Sequence, residues 1–244
     1  ASASASNNDL PRIRVILVGD STIAGGNGYG DALCARFRPE VTCVNLAANG
    51  RSSSSFRTEG RWDKVRDMLR EGDGFRANYV LVQFGHNDQP GKKHATDIVT
   101  EFPANMARYA AETRALGGVP VLVTPLTRRT FDGPNLHDTL GPWAAATRKA
   151  AVQEHAALLE LNADSAAVVQ QLGQAEADTL AMAPPPNPAK AKGEGAAKSQ
   201  FDWTHLGPRG AQLFSAMVAK ELAQAIPAIA PYLDAGRTAA IVTR

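Results

Sequence analysis

The order of segments along this chain predicts an α/β protein, a parallel β-sheet with helices on both faces. Three observations carry that prediction. Five short segments are apolar and mostly rich in branched residues, as strands buried on both faces should be. Stretches with helical spacing alternate with them. The first three strand candidates each lead into a polar, glycine-containing loop.

Residues 13–18 form the first strand candidate, followed by Gly19-Asp20-Ser21-Thr22 and a glycine-rich stretch at 25–30. Residues 29–37 have helical character, and 41–46 make a second strand. Between 62 and 69, Trp62, Val65 and Leu69 share one helical face. The third strand is 79–84. Phe102, Met106, Tyr109, Thr113 and Leu116 mark an amphipathic helix that Gly117 ends. Residues 119–124 are the fourth strand, 141–155 a helix, 158–161 a short fifth strand, and 208–226 a closing helix. Right-handed crossovers restrict such a chain to a few doubly wound arrangements.

The 244 residues suit one domain, expected at 11–244 after a small, polar, disordered tail at 1–10. The tail lacks the basic start and apolar stretch of a signal peptide. It fits either a mature end left by cleavage or appended residues. Residues 183–200 hold Pro184, Pro185, Pro186 and Pro188, then lysines and glycines, and are expected to form a long flexible loop.

Hydrophobic residues make up 44% of the chain and charged residues 20%, with a net charge of +2. That balance excludes a strongly basic nucleic-acid binder. No apolar run approaches the roughly 20 residues that span a membrane. Cys34 and Cys43 show no metal-ligating pattern and read equally well as two buried thiols or one disulfide.

In open parallel sheets, ligands bind beyond the carboxyl ends of the strands. The loops carrying Ser21, Gly50 and Asn87 are expected to converge there. Ser21 sits where a strand turns toward a helix, suiting a nucleophile. Fixed donors must meet the negative oxygen of an acyl-transfer intermediate. The backbone N–H groups of Ser21 and Gly50 and the Asn87 side-chain amide supply three candidates. Asp202 and His205, three residues apart, suit an orienting carboxylate and a general base. Singly, each has an ordinary alternative: a helix cap for Ser21 or Asp202, a simple turn for Gly50, an Asx-turn for Asn87.

Arg51, His86 and Arg128 are candidates for contacting an acidic sugar. His94, His137 and His155 lack spaced partners and read as surface or packing residues. Neither a metal site nor a cofactor is indicated.

Taken in order, Gly19-Asp20-Ser21-Thr22, the Gly50 loop, Gly85-His86-Asn87-Asp88 and Asp202-Trp203-Thr204-His205 resemble the four blocks of the SGNH/GDSL hydrolases. The resemblance covers about 13–219. A narrower similarity, to the rhamnogalacturonan acetylesterases of carbohydrate esterase family twelve, rests on five stretches. These are Asn49-Gly50-Arg51-Ser52, Thr58-Glu59-Gly60-Arg61-Trp62, Phe84-Gly85-His86-Asn87-Asp88, the run from Thr124 through Phe131, and His205-Leu206-Gly207-Pro208-Arg209-Gly210-Ala211.

The resemblance implies a three-layer α/β/α sandwich around a five-stranded parallel sheet, flavodoxin-like in order. It implies a secreted or periplasmic serine esterase that removes O-acetyl groups from a pectic polysaccharide. It assigns Ser21, Asp202 and His205 to the triad, and Ser21, Gly50 and Asn87 to the oxyanion hole. The segment at 183–200 is longer and more biased than the family pattern, which bears on substrate preference. The expected partner is an acetylated poly- or oligosaccharide, met by a monomer without nucleic acid or membrane. Rival readings are a lipase or thioesterase of the same superfamily, a nucleotide-binding module built on the 25–30 glycines, and a catalytically inactive carbohydrate-binding protein.

Overall fold

A computed structural model describes residues 10–72, 74–182 and 202–234. Apart from Leu10, the expected tail at 1–10 and the expected loop at 183–200 lie outside the described residues.

Five strands form one parallel sheet: β1 (Ile13–Gly19), β2 (Val41–Asn45), β3 (Asn78–Gln83), β4 (Val119–Val123) and β5 (Ala157–Leu159). Their order is β2-β1-β3-β4-β5. Leu17 of β1 sits beside Asn45 on one side and Leu81 on the other. The helices are α1 (Gly30–Cys34), α2 (Ser55–Thr58), α3 (Arg61–Glu71), α4 (Phe102–Ala115), α5 (Gly141–Gln153), α6 (Leu161–Asp178) and α7 (Pro208–Ala225).

Alternation along β1 sorts the core into two layers. Ile13, Val15 and Leu17 pack with α1, α6 and α7, including Phe214 and Val218. Ile16 and Val18 face the opposite way, toward α3, α4 and α5. There Trp62 meets Tyr109 edge-on at 4.7 Å, and Tyr109 stacks on Phe84 at 5.4 Å. The expected three-layer α/β/α sandwich is the observed one.

Two expectations change. The helix expected at 29–37 shortens to Gly30–Cys34. The fifth strand stops at Leu159, and Leu161 begins α6 instead. There the Asn162 N–H donates to Thr124 Oγ1 and its side-chain amide to the Pro125 carbonyl, anchoring the new helix on the end of β4. Cys34 and Cys43 form a disulfide, tying the end of α1 to β2 and settling the two readings left open by sequence.

Helix α7 buries one group with no local compensation. Glu221 is 9% exposed, and among the described residues neither carboxylate oxygen has a hydrogen-bond partner. Burial, then the nearby Asp164 and Glu160 charges, raise its pKa from 4.5 to about 8. The folded protein thus holds this proton while the unfolded chain releases it. Stability is therefore expected to decline as pH rises from 4.5 to about 8, then level off. Urea unfolding across that range should show the slope in the wild type, and Glu221→Gln should lessen it.

Candidate active site

Ser21 leaves the carboxyl end of β1 in a tight turn, where the N–H groups of Ile23 and Ala24 donate to the Asp20 carbonyl. The Asp20 side chain accepts from the Thr22 N–H at 2.9 Å and hydroxyl at 2.7 Å. Gln83, at the end of β3, donates to that hydroxyl and accepts from Tyr29 at 2.9 Å. The serine loop is thus held from below by buried polar groups. Gly28 and Gly30 of the 25–30 stretch pack against the serine loop, where the Tyr29 and Gly30 N–H groups bond the Thr22 and Ile23 carbonyls. A Cβ on Gly28 would fall 2.0 Å from the Thr22 oxygen.

Ser21, Asp202 and His205 meet. Ser21 Oγ lies 2.8 Å from His205 Nε2, and His205 Nδ1 lies 2.8 Å from Asp202 Oδ2. The other Asp202 oxygen accepts the N–H groups of Thr204 and His205, at 2.9 and 2.8 Å. The carboxylate therefore caps its own turn and orients the imidazole at once. Burial pushes the Asp202 pKa up, but the two amide donors and the imidazole outweigh it and leave it below the usual range. Ser21 is only 7% exposed. An imidazole so placed can accept the serine proton, and the anionic carboxylate can stabilise the resulting positive ring.

The strand order puts β1 between β2 and β3, so the Ser21 loop lies between the Gly50 and Asn87 loops. Gly50 adopts φ +72°, a conformation that favours glycine. Asn87 donates to the Arg51 carbonyl at 3.1 Å, joining the outer two loops.

Asp88, named only as part of a motif, proves to be the stronger tie. Its carboxylate accepts from the Ser53 hydroxyl at 2.6 Å, the Ser53 N–H at 3.1 Å and the Thr96 hydroxyl at 2.7 Å. Ser53 also accepts from the Asn105 amide and, through its carbonyl, from Tyr109. Burial raises the Asp88 pKa to about 6 against the pull of these donors. Nothing in the sequence separates such an anchor from an ordinary loop aspartate.

The three proposed sugar contacts fare differently. His86 is corrected: it is 3% exposed, its ring nitrogens are shielded from solvent, and Nδ1 lies 3.4 Å from Asp20 Oδ2. It packs beneath the loops and presents no polar atom to a sugar. Arg51 is ion-paired to Glu59 and donates to the Asn49 carbonyl. Arg128 is half-buried and donates to Gln89 and Thr139. Among the described residues, no cluster of three or more His, Cys, Asp or Glu side chains suits a metal ion.

The model for the GDSL-like Lipase/Acylhydrolase family matches residues 17–213. The chain belongs to this family. Rhamnogalacturonan acetylesterase RhgT of Bacillus subtilis is 31% identical over 216 residues, covering 85% of this chain and 88% of that protein. Among solved structures, Bacillus subtilis YxiM aligns with a TM-score of 0.69 at 21% identity over 87% of this chain, which spans 56% of that one. Axe2, an acetylxylan esterase from Geobacillus stearothermophilus, aligns with a TM-score of 0.57 at 16% identity, covering 86% of this chain and 93% of that one. The structural likenesses are in the fold. The family match and the relative make this GDSL protein a carboxylic ester hydrolase.

Replacing Asp88 strands the Ser53 and Thr96 donors in the interior. Each buried unsatisfied donor costs about 1–3 kcal/mol. Asp88→Ala is therefore expected to lower unfolding stability by about 3 kcal/mol, read from urea midpoints against the wild type.

Proposed function

We propose that the protein is a carbohydrate acetylesterase that removes O-acetyl groups from a pectic polysaccharide such as rhamnogalacturonan. One observation carries the catalytic part: an unbroken hydrogen-bonded chain from Ser21 through His205 to Asp202, with both links at 2.8 Å. The similarity to RhgT supports the substrate class.

In this mechanism His205 Nε2 takes the Ser21 proton as Oγ bonds to the acetyl carbonyl carbon. The Ser21 and Gly50 N–H groups and the Asn87 amide meet the negative oxygen. As the intermediate collapses, the sugar oxygen leaves with the proton from His205. Water then attacks the acetyl-serine, His205 takes its proton, and acetate departs as Ser21 regains a hydrogen. Asp202 stays ionised throughout, as its lowered pKa favours.

Arg51 and Arg128 stand beside these loops and suit a uronate carboxylate, although both guanidinium groups are already engaged within the protein. The Cys34–Cys43 disulfide suits an exported protein, secreted or periplasmic.

Acetate release from p-nitrophenyl acetate and from acetylated rhamnogalacturonan tests the proposal. The wild type should act on both, and Ser21→Ala on neither. Asn87→Ala should lose about a hundred-fold in kcat, close to 3 kcal/mol, while remaining folded. Activity of Ser21→Ala near wild type would remove the nucleophile assignment. Inertness of the wild type on the polysaccharide alone would remove the pectic substrate.

A further inference from the structure

Arg129 follows β4 and is fully buried, at 0% exposure. A buried guanidinium ordinarily pairs with a carboxylate. Among the described residues, none lies within ion-pair distance of Arg129; its two terminal nitrogens donate to backbone oxygens instead, while its buried Nε–H meets no acceptor among those residues. One terminal nitrogen donates to the His205 carbonyl at 2.7 Å and the Asp202 carbonyl at 3.2 Å. The other reaches the Thr204 carbonyl at 3.4 Å. The Arg129 backbone N–H donates to the Trp203 carbonyl at 2.9 Å. Every carbonyl of the turn from Asp202 to His205 thus accepts from this single residue.

We propose that Arg129 is a positioning residue for catalysis, gathering the four carbonyls of the Asp202–His205 turn so that the imidazole stays in register with Ser21. This inference rests on the triad reading given above.

The physical case is one of cost and placement. Burial lowers the Arg129 pKa to about 10, with the Asp202 and Asp178 charges pulling it back up. Holding a cation there is expensive, and carbonyl dipoles offset the cost only if they converge. The turn lies outside any helix or strand, immediately before α7. Its N–H groups at Thr204 and His205 are taken by Asp202. Arg129 supplies the matching set of donors from another element. A displacement of about 1 Å at a catalytic group costs on the order of a hundred-fold in rate. Lysine offers a point charge without the planar fork and cannot span the same set of carbonyls.

The test compares Arg129→Lys and Arg129→Ala with the wild type and Ser21→Ala, using p-nitrophenyl acetate, with circular dichroism to establish folding. Arg129→Lys is expected to lose roughly ten- to a hundred-fold in kcat with KM within about two-fold. Activity of Arg129→Ala should recover at least several-fold in millimolar guanidinium chloride, and not in ammonium chloride at equal ionic strength. Millimolar guanidinium is too dilute to change folding stability, so recovery in a variant already shown to be folded reports occupancy of the emptied guanidinium site beside the turn. A folded Arg129→Lys or Arg129→Ala with wild-type kcat overturns the proposal, as does a kcat loss in a folded Arg129→Ala that guanidinium leaves untouched. If Arg129→Ala does not fold, the kcat and KM of Arg129→Lys decide. Activity retained by Ser21→Ala would instead defeat the triad reading itself.

Discussion

Parallel pairing of β1 with β2 on one side and β3 on the other brings three chain segments out of the sheet at one edge. The pairing register fixes where each segment leaves: Leu17 lies level with Asn45 and Leu81, a few residues before the loops begin. Ser21 is thereby flanked by the Gly50 and Asn87 loops without any of them having to seek the others. The Asp202–His205 turn arrives from the far end of the chain, delivered by α7 packing across the layer that holds α1 and α6. Remove the pairing of β1, and neither the proposed oxyanion donors nor His205 would meet Ser21.

The residues above this edge depend on an underlying polar layer. Asp20 grips Thr22, Asp88 grips Ser53 and Thr96, and Arg129 grips the carbonyls of the Asp202–His205 turn. Each takes a charge out of water, which is costly unless hydrogen bonds return the solvation that was lost. Bonded across elements in this way, the groups give loops something close to the rigidity of regular structure. Asp88 and Arg129 are the clearest cases, because their donors and acceptors span elements far apart in sequence. Precision at Ser21 is therefore a property of the layer beneath it as much as of the three residues in the chain.

Much of this was legible in the sequence, and the exceptions have physical reasons. The strands could be read because burial on both faces leaves uninterrupted apolar runs such as that of β1. Helix α6 was not foreseen because its inward face includes Asn162, Ser165 and Ala177, so no apolar stripe stands out. The short hairpin pairing Phe131 with Leu136 was missed for a similar reason, its strands being only two residues each. Ser21, Asp202 and His205 could be singled out because a candidate nucleophile, base and orienting acid are distinctive together, and the structure brings their side chains into contact. His86 was misread: its place in a polar loop suggested exposure, whereas the loop turns it inward onto Asp20. Asp88 and Arg129 could not be singled out, since an anchoring charge looks like any other until its partners are known.

The central claim is that Ser21 is a nucleophile made reactive by His205. A phosphonylating serine reagent followed by tryptic digestion and mass spectrometry tests it directly. One adduct should form, on the peptide spanning residues 15–36, which contains Ser21. The adduct should be nearly absent in a folded His205→Ala protein. An adduct on another serine, such as one of Ser52 to Ser55, or labelling of Ser21 that proceeds unchanged without His205, would contradict the account.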